Sequence, residues 1–155
     1  MSIEIVPIGR VTSTRTAPGD DGWDAESSAI TFDPEQVGPE ALVGLEDFSH
    51  VEVIFHLDRV RPEKIEREAR RPRSNPDWPR VGILAQRGKN RPNRIGATIA
   101  RVVGVEGLTL KLSGLDAIDG TPVLDVKPYM VEFGPRGDVR QPAWASELME
   151  DYWQG

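Results

Sequence analysis

The chain has 155 residues, enough for one domain with a proper core, of which 38% are hydrophobic and 28% charged, with a formal net charge of −6. It has no cysteine, which excludes disulfides, thiolate metal sites and cysteine nucleophiles. It has only two histidines, which excludes a three-histidine site, and no run of about 18 apolar residues that would span a membrane.

The N-terminal segment MSIEIVPIGR shows neither the basic start nor the apolar core of a signal peptide, so a cytoplasmic location is expected. In chain order, the first expected strand is Ile3–Thr12, followed by a loop at Thr14–Trp23 and a strand at Ser28–Phe32. A third strand, Ser49–Leu57, puts Val51, Val53, Phe55 and Leu57 on one face. Pro62–Arg71 reads as a helix, with proline in the first turn and acids ahead of bases. Pro72–Arg80 is a loop, and Val81–Arg87 and Gly96–Val105 are strands. Gly104 to Gly107 reads as a hairpin turn into Leu108–Leu115. The strand Thr121–Phe133 places Val123, Asp125, Lys127 and Tyr129 on one face by alternation. Pro142–Trp153 reads as a helix, with Trp144, Leu148 and Tyr152 four apart as a core or interface face.

Glycine (15) and proline (13) cut the chain into short pieces, which favours strands over long helices. The expected fold is all-β. It is a small single-sheet barrel of six to seven strands with one or two short helices, one of them C-terminal. A single domain over residues 1–155 is expected, with 134–155 as its tail.

The net charge hides an asymmetry. Arg59 to Arg101 holds thirteen of the 19 Lys and Arg but four of the 25 Asp and Glu, so this window carries +9 and the remainder −15. Such a basic stretch suits an anionic partner. Its densest part, Gly82–Gly96, presents Arg87, Lys89, Asn90, Arg91, Asn93 and Arg94 around Gly88 and Pro92. Gly88-Lys89 is followed by Asn-Arg-Pro, so a phosphate-binding P-loop is excluded. What remains is a stiffened loop of fork donors for phosphate, carboxylate or base edges.

A second dense segment is Asp116–Tyr129. Asp116 could accept from a ribose diol or an amino group, or both Asp116 and Asp119 could shape the turn at Asp119-Gly120-Thr121-Pro122. His50, His56 and Asp58 share a strand face, but hydrogen-bonded structural histidines are the commoner outcome, and no metal is assigned. A Ser49–His–Asp58 triad lacks a nucleophile elbow.

Four strings, Ile8-Gly-Arg-Val-Thr-Ser13, Phe48-Ser-His-Val-Glu-Val-Ile-Phe55, Arg91-Pro-Asn-Arg-Ile-Gly96 and Asp119-Gly-Thr-Pro-Val-Leu-Asp-Val-Lys-Pro-Tyr129, together resemble the TsaA/YaeB-like (TrmO-type) family of S-adenosylmethionine-dependent methyltransferases. Pro142-Ala-Trp144 is similar to the family's tail. The resemblance implies a β-barrel, S-adenosyl-L-methionine as methyl donor, a homodimer with the cofactor near the subunit interface, and N6-methylation of threonylcarbamoyl-adenosine at position 37 of tRNA. It implies cofactor contacts from Pro18 and Gly19, from Leu57 and Asp58, from Arg87 and Gly88, and from Thr98. The run Leu115, Asp116, Ala117, Ile118 and Asp119 would complete them. Asp125, Lys127 and Tyr129 would form the catalytic acceptor pocket, and Lys89, Arg91, Asn93 and Arg94 would bind RNA. Trp23 or Trp78 could stack on a base. The sequence departs from the family's pattern at Glu52, at Arg87-Gly-Lys-Asn90 and in the Ala17–Trp23 loop. The alternatives are a cofactor- or RNA-binding barrel without turnover, and a methyltransferase on another RNA or a small molecule.

Overall fold

A computed structural model describes residues 1–154. Eight strands form, β1 (Gly9–Ser13), β2 (Ser27–Phe32), β3 (His50–His56), β4 (Ala69–Arg70), β5 (Val81–Gly82), β6 (Ile95–Glu106), β7 (Thr109–Ser113) and β8 (Pro122–Pro128). Six of them close an antiparallel barrel in the order β1-β2-β7-β6-β3-β8, and β4 pairs with β5 in a separate ribbon. The expected small all-β barrel is therefore the observed one. Among the described residues no helix is long and apolar enough to cross a membrane.

Period-two patterning builds the core. Val51, Val53 and Phe55 on β3 point inward, as do Leu110 and Leu112 on β7, and they meet Val11, Ile30, Phe32 and Val123. Leu57 packs against this cluster from the end of β3. The hairpin between β6 and β7 turns on Gly107 and Leu108, with Gly107 at φ 61, in the left-handed region that glycine enters without steric cost.

The alternation breaks on β8. Across β3, Ile54 faces Asp125 while Phe55 faces Val123, so Leu124 is an extra residue in a β-bulge. Val123 is fully buried, and Val126 rather than Asp125 is the next residue to pack on the core. Asp125 and Lys127 consequently do not share the inward face of Val123. They lie on the outer wall, where Lys127 Nζ pairs with Asp125 Oδ2 at 2.9 Å.

Five other expectations are corrected. Pro62–Arg71 is not a helix: a 3₁₀ turn covers only Pro62–Lys64, and Ala69–Arg70 pairs with Val81–Gly82. Pro72 also disfavours helical φ/ψ at Arg71. The strand expected at Val81–Arg87 stops at Gly82, where a 3₁₀ turn over Ile83–Ala85 buries Ile83. Gln86 holds that turn by donating to the carbonyls of Arg70 and Val81 at 2.9 and 3.0 Å. The C-terminal helix α1 spans Ala143–Leu148 and not Pro142–Trp153. Beyond it the backbone leaves helical form to pair with the loop before β2. The amides of Gly22 and Trp23 donate to the Tyr152 carbonyl at 2.8 and 3.0 Å, and Asp24 N–H donates to the Trp153 carbonyl at 3.1 Å. The first strand starts at Gly9, leaving Ile3, Ile5 and Val6 exposed. The last ends at Pro128, followed by a 3₁₀ turn at Val131–Phe133.

Candidate functional site

Because the barrel is antiparallel, the segments after β1, β3 and β7 and before β2, β6 and β8 gather at one end. The resemblance-implied cofactor residues all belong to these segments, apart from Thr98 on β6 itself. Gly114, at φ 81, turns the chain out of β7. Leu115 and Ala117 are then buried in the core, so Asp116 between them is directed away from it. Two buried anchors thus hold the loop backbone around one carboxylate.

Both oxygens of that carboxylate accept hydrogen bonds. Thr98 Oγ1, buried on β6, donates to Asp116 Oδ1. The Tyr152 hydroxyl donates to Asp116 Oδ2. Burial foremost, with the charge of Asp116 and this hydrogen bond behind it, pushes the Tyr152 phenol far above its usual pKa. The guanidinium groups of Arg87 and Arg73 lie close enough to oppose that shift. Arg87 is exposed, and its Nη2 donates to the Ala97 carbonyl beside Thr98 at 2.6 Å. Arg87, Thr98 and Asp116 therefore converge, with Tyr152 beside them. The spacing of Trp144, Leu148 and Tyr152 flagged Tyr152 only as part of a packing face, and nothing in its spacing points to Asp116.

Asp119 has a different task. Its Oδ1 accepts from the Ser13 amide at 2.9 Å, and its own N–H donates to the Arg15 carbonyl at 2.9 Å. Asp119 closes the turn against the end of β1, while Asp116 is held by Thr98 and Tyr152. Ile118 contributes its carbonyl to the Thr121 hydroxyl at 2.7 Å. Leu57 N–H donates to the Arg94 carbonyl at 2.8 Å, and Asp58 is exposed at the rim. Arg59 ties this rim to the early loop by donating to the Thr16 carbonyl at 2.9 Å. Pro18 and Gly19 lie exposed in that loop, wrapped around Arg15. The Arg15 guanidinium lies 3.5 Å from the centre of the Trp23 ring and bonds the Asp21 and Gly22 carbonyls. Trp23 is buried, so base stacking on it is excluded. Trp78 is half-buried and donates through Nε1 to Glu147 at 2.8 Å.

Most of the arginines in the basic window are braces rather than free cations. Arg91 Nη1 donates to the Gln86 carbonyl at 2.6 Å, and Arg94 Nη1 to the Val60 carbonyl at 2.6 Å. Arg71 bonds the carbonyls of Pro76 and Trp78. Gly88 places its carbonyl 3.4 Å from Arg91. Of the four residues assigned to RNA, Lys89 and Asn93 are exposed, whereas Arg91 and Arg94 are half-buried and committed to backbone. The Arg71-Pro-Arg-Ser74 and Arg91-Pro-Asn-Arg94 turns share one unusual geometry. Arg73 and Ser74 have φ 51 and 56, and Asn93 and Arg94 have φ 64 and 51. Such strained non-glycine backbone persists only where its surroundings enforce it. The Arg73 side chain pairs with Asp21 at 3.0 Å.

His50 and His56 stand at opposite ends of β3, and His50 Nδ1 pairs with Ser49 Oγ at 2.7 Å. Asp125 and Lys127 pair on the outer wall, and Tyr129, just past β8, donates its N–H to the His50 carbonyl at 3.0 Å.

A six-stranded closed barrel whose loops bring Arg87, Thr98 and Asp116 together at one end places the chain among the small closed β-barrels. The model of one family, the tRNA-methyltransferase O N-terminal domain, matches residues 11–134, and the chain belongs to that family. Human tRNA (adenine(37)-N6)-methyltransferase is 40% identical over 102 residues, covering 66% of this chain and 23% of that protein. A probable S-adenosyl-L-methionine-binding protein of Methanothermobacter thermautotrophicus is 35% identical over 141 residues, covering 88% of this chain and 97% of that protein. The crystal structure of TrmO from Pseudomonas aeruginosa superposes with a TM-score of 0.73 at 32% identity, over 90% of this chain and 61% of that one. The chain thus spans less than two thirds of the human and Pseudomonas proteins, and nearly all of the archaeal one.

Proposed function

We propose that the chain is an S-adenosylmethionine-dependent tRNA methyltransferase, acting at N6 of threonylcarbamoyl-adenosine 37. One observation carries the reading: Arg87, Thr98 and Asp116 converge at the loop end of the barrel, in a chain of this family. The donor set fits the cofactor's chemistry. The Asp116 carboxylate suits a ribose diol or an amino group, and the Arg87 guanidinium, with one of its N–H groups on Ala97, keeps others for a carboxylate. Buried Leu115 and Ala117 fix the backbone that would line the adenosine.

Bound S-adenosylmethionine supplies an already electrophilic sulfonium methyl. The protein then has mainly to position an amine in line with it, and that amine can lose its proton after transfer. Arg87 and Asp116 orient one reactant. Pro18, Gly19, Leu57 and Asp58 form the rim that limits water. Asp125, Lys127 and Tyr129 would shape the acceptor pocket where their wall faces a second copy of the chain. Exposed Ile95, Ile99 and Val103 on β6 support such a homodimer. Lys89 and Asn93 remain for the phosphates of an RNA stem-loop. A cytoplasmic location goes with this reading.

Isothermal titration with S-adenosylmethionine tests the reading first, and absence of binding at high protein concentration overturns it. Mass spectrometry of tRNA nucleosides from a deletion strain tests the acceptor; unchanged methylated threonylcarbamoyl-adenosine removes it. The archaeal relative's name favours a second reading, a cofactor-binding barrel without turnover. Methyl transfer to tRNA in a single-turnover assay excludes that alternative.

A further inference from the structure

We infer that Tyr152 is a positioning residue of the cofactor site, holding the Asp116 carboxylate in place, and that the C-terminal tail forms one wall of that site. The inference rests on the cofactor reading above and extends it to a segment beyond residues 11–134, the part the family model matches.

Three attachments fix the tail. The first is the backbone pairing of Gly22, Trp23 and Asp24 with Tyr152 and Trp153. It depends on Gly22, whose φ of 82 suits glycine and where a Cβ would lie 3.2 Å from the Gln154 carbonyl. The second is Trp78 Nε1 on Glu147. The third is the Tyr152 hydroxyl on Asp116. The tail thereby joins two separate pieces of the site, the Pro18–Trp23 loop and the Asp116 loop. A carboxylate held by Thr98 alone keeps one oxygen free to swing. Held by Thr98 and Tyr152 together, it presents its remaining lone pairs in one orientation. The phenol stays protonated well into alkaline solution, so it remains a donor at neutral pH. Arg87 and Arg73 are the cations facing it, and Asp116 is the acid.

The test is S-adenosylmethionine binding to the full chain by titration calorimetry, in the wild type, Tyr152→Phe, Asp116→Asn and the double variant. Tyr152→Phe keeps the ring and removes only the donor. We expect it to weaken binding about tenfold, the scale of one hydrogen bond to a charged group. Asp116→Asn should weaken binding further, and the double variant should bind no worse than Asp116→Asn, because Tyr152 acts through Asp116. Unfolding midpoints of the cofactor-free proteins separate this from general damage, since a merely structural tyrosine gives additive effects. Wild-type affinity in Tyr152→Phe overturns the inference. Tighter binding also overturns it, and makes the tail a competitor for Asp116. Failure of the wild type to bind overturns the cofactor reading itself, and the inference with it.

Discussion

Gly96 and Phe55 meet across the β3–β6 pair so closely that a Cβ on Gly96 would lie 2.5 Å from the Phe55 ring. The ring is buried and covers the glycine, so a barrel wall and its core filling are fitted at this one point. Replacing Gly96 with alanine must displace either the ring or the strand. We expect a loss of about 1–3 kcal/mol, the usual cost of overpacking, read as a lower urea midpoint at unchanged m-value. Unchanged stability would show that Phe55 has room to move.

Arg94 and Lys89, five residues apart, should behave as different kinds of residue. Arg94→Ala leaves the Val60 carbonyl without its partner. It should cost about 1–3 kcal/mol of stability. Lys89→Ala should leave stability unchanged within about 0.5 kcal/mol. In tRNA binding it should lower the magnitude of the salt slope by about 1, measured by filter binding across a salt series.

Arg87→Ala should leave the fold intact, since the side chain is exposed and its single hydrogen bond goes to the Ala97 carbonyl. Cofactor affinity should fall below detection in titration calorimetry. Retained affinity would move the cofactor's carboxylate away from this guanidinium.

The Tyr152 phenol gives stability a defined alkaline limit. Its pKa is raised in the folded chain, mainly by burial. Up to about pH 9, a unit below the pKa of about 10 of an unfolded tyrosine, neither state releases this proton, and the group adds no pH dependence. Above that, the unfolded chain loses the proton first, so stability falls with rising pH. Tyr152→Phe should flatten this alkaline part of the denaturation profile and leave the slope near neutral pH unchanged, with a pH-independent loss for the missing hydrogen bond to Asp116. An identical alkaline profile in the variant would mean that the phenol is more solvated than its contacts imply.

The legible parts of the fold were those fixed by local pattern. Val51, Val53 and Phe55 alternate because one side of β3 faces the core, and Gly107 marks its hairpin because the backbone there needs a positive φ. What stayed hidden depends on distant partners. Pro62–Arg71 has helical signals, yet Ala69 and Arg70 pair with residues 81 and 82. The single extra residue at Leu124 turns Asp125 away from the face that alternation assigns to it, and no pattern in the string announces a bulge. The site divides in the same way. Residue type marked Arg87 and Asp116, but type cannot tell an exposed arginine such as Arg87 from the half-buried Arg91 and Arg94, which brace the Gln86 and Val60 carbonyls.

The seam between β1 and β8, where Gly9 faces Val123 and Arg10 faces Pro122, has a consequence for biogenesis. During translation β1 emerges early, yet its second neighbour is the last barrel strand to leave the ribosome. Until about residue 128 is free, both β1 and β3 carry an open edge able to pair with any stray strand. A released chain truncated shortly before Pro122 should therefore be more prone to aggregation than one that ends soon after Pro128.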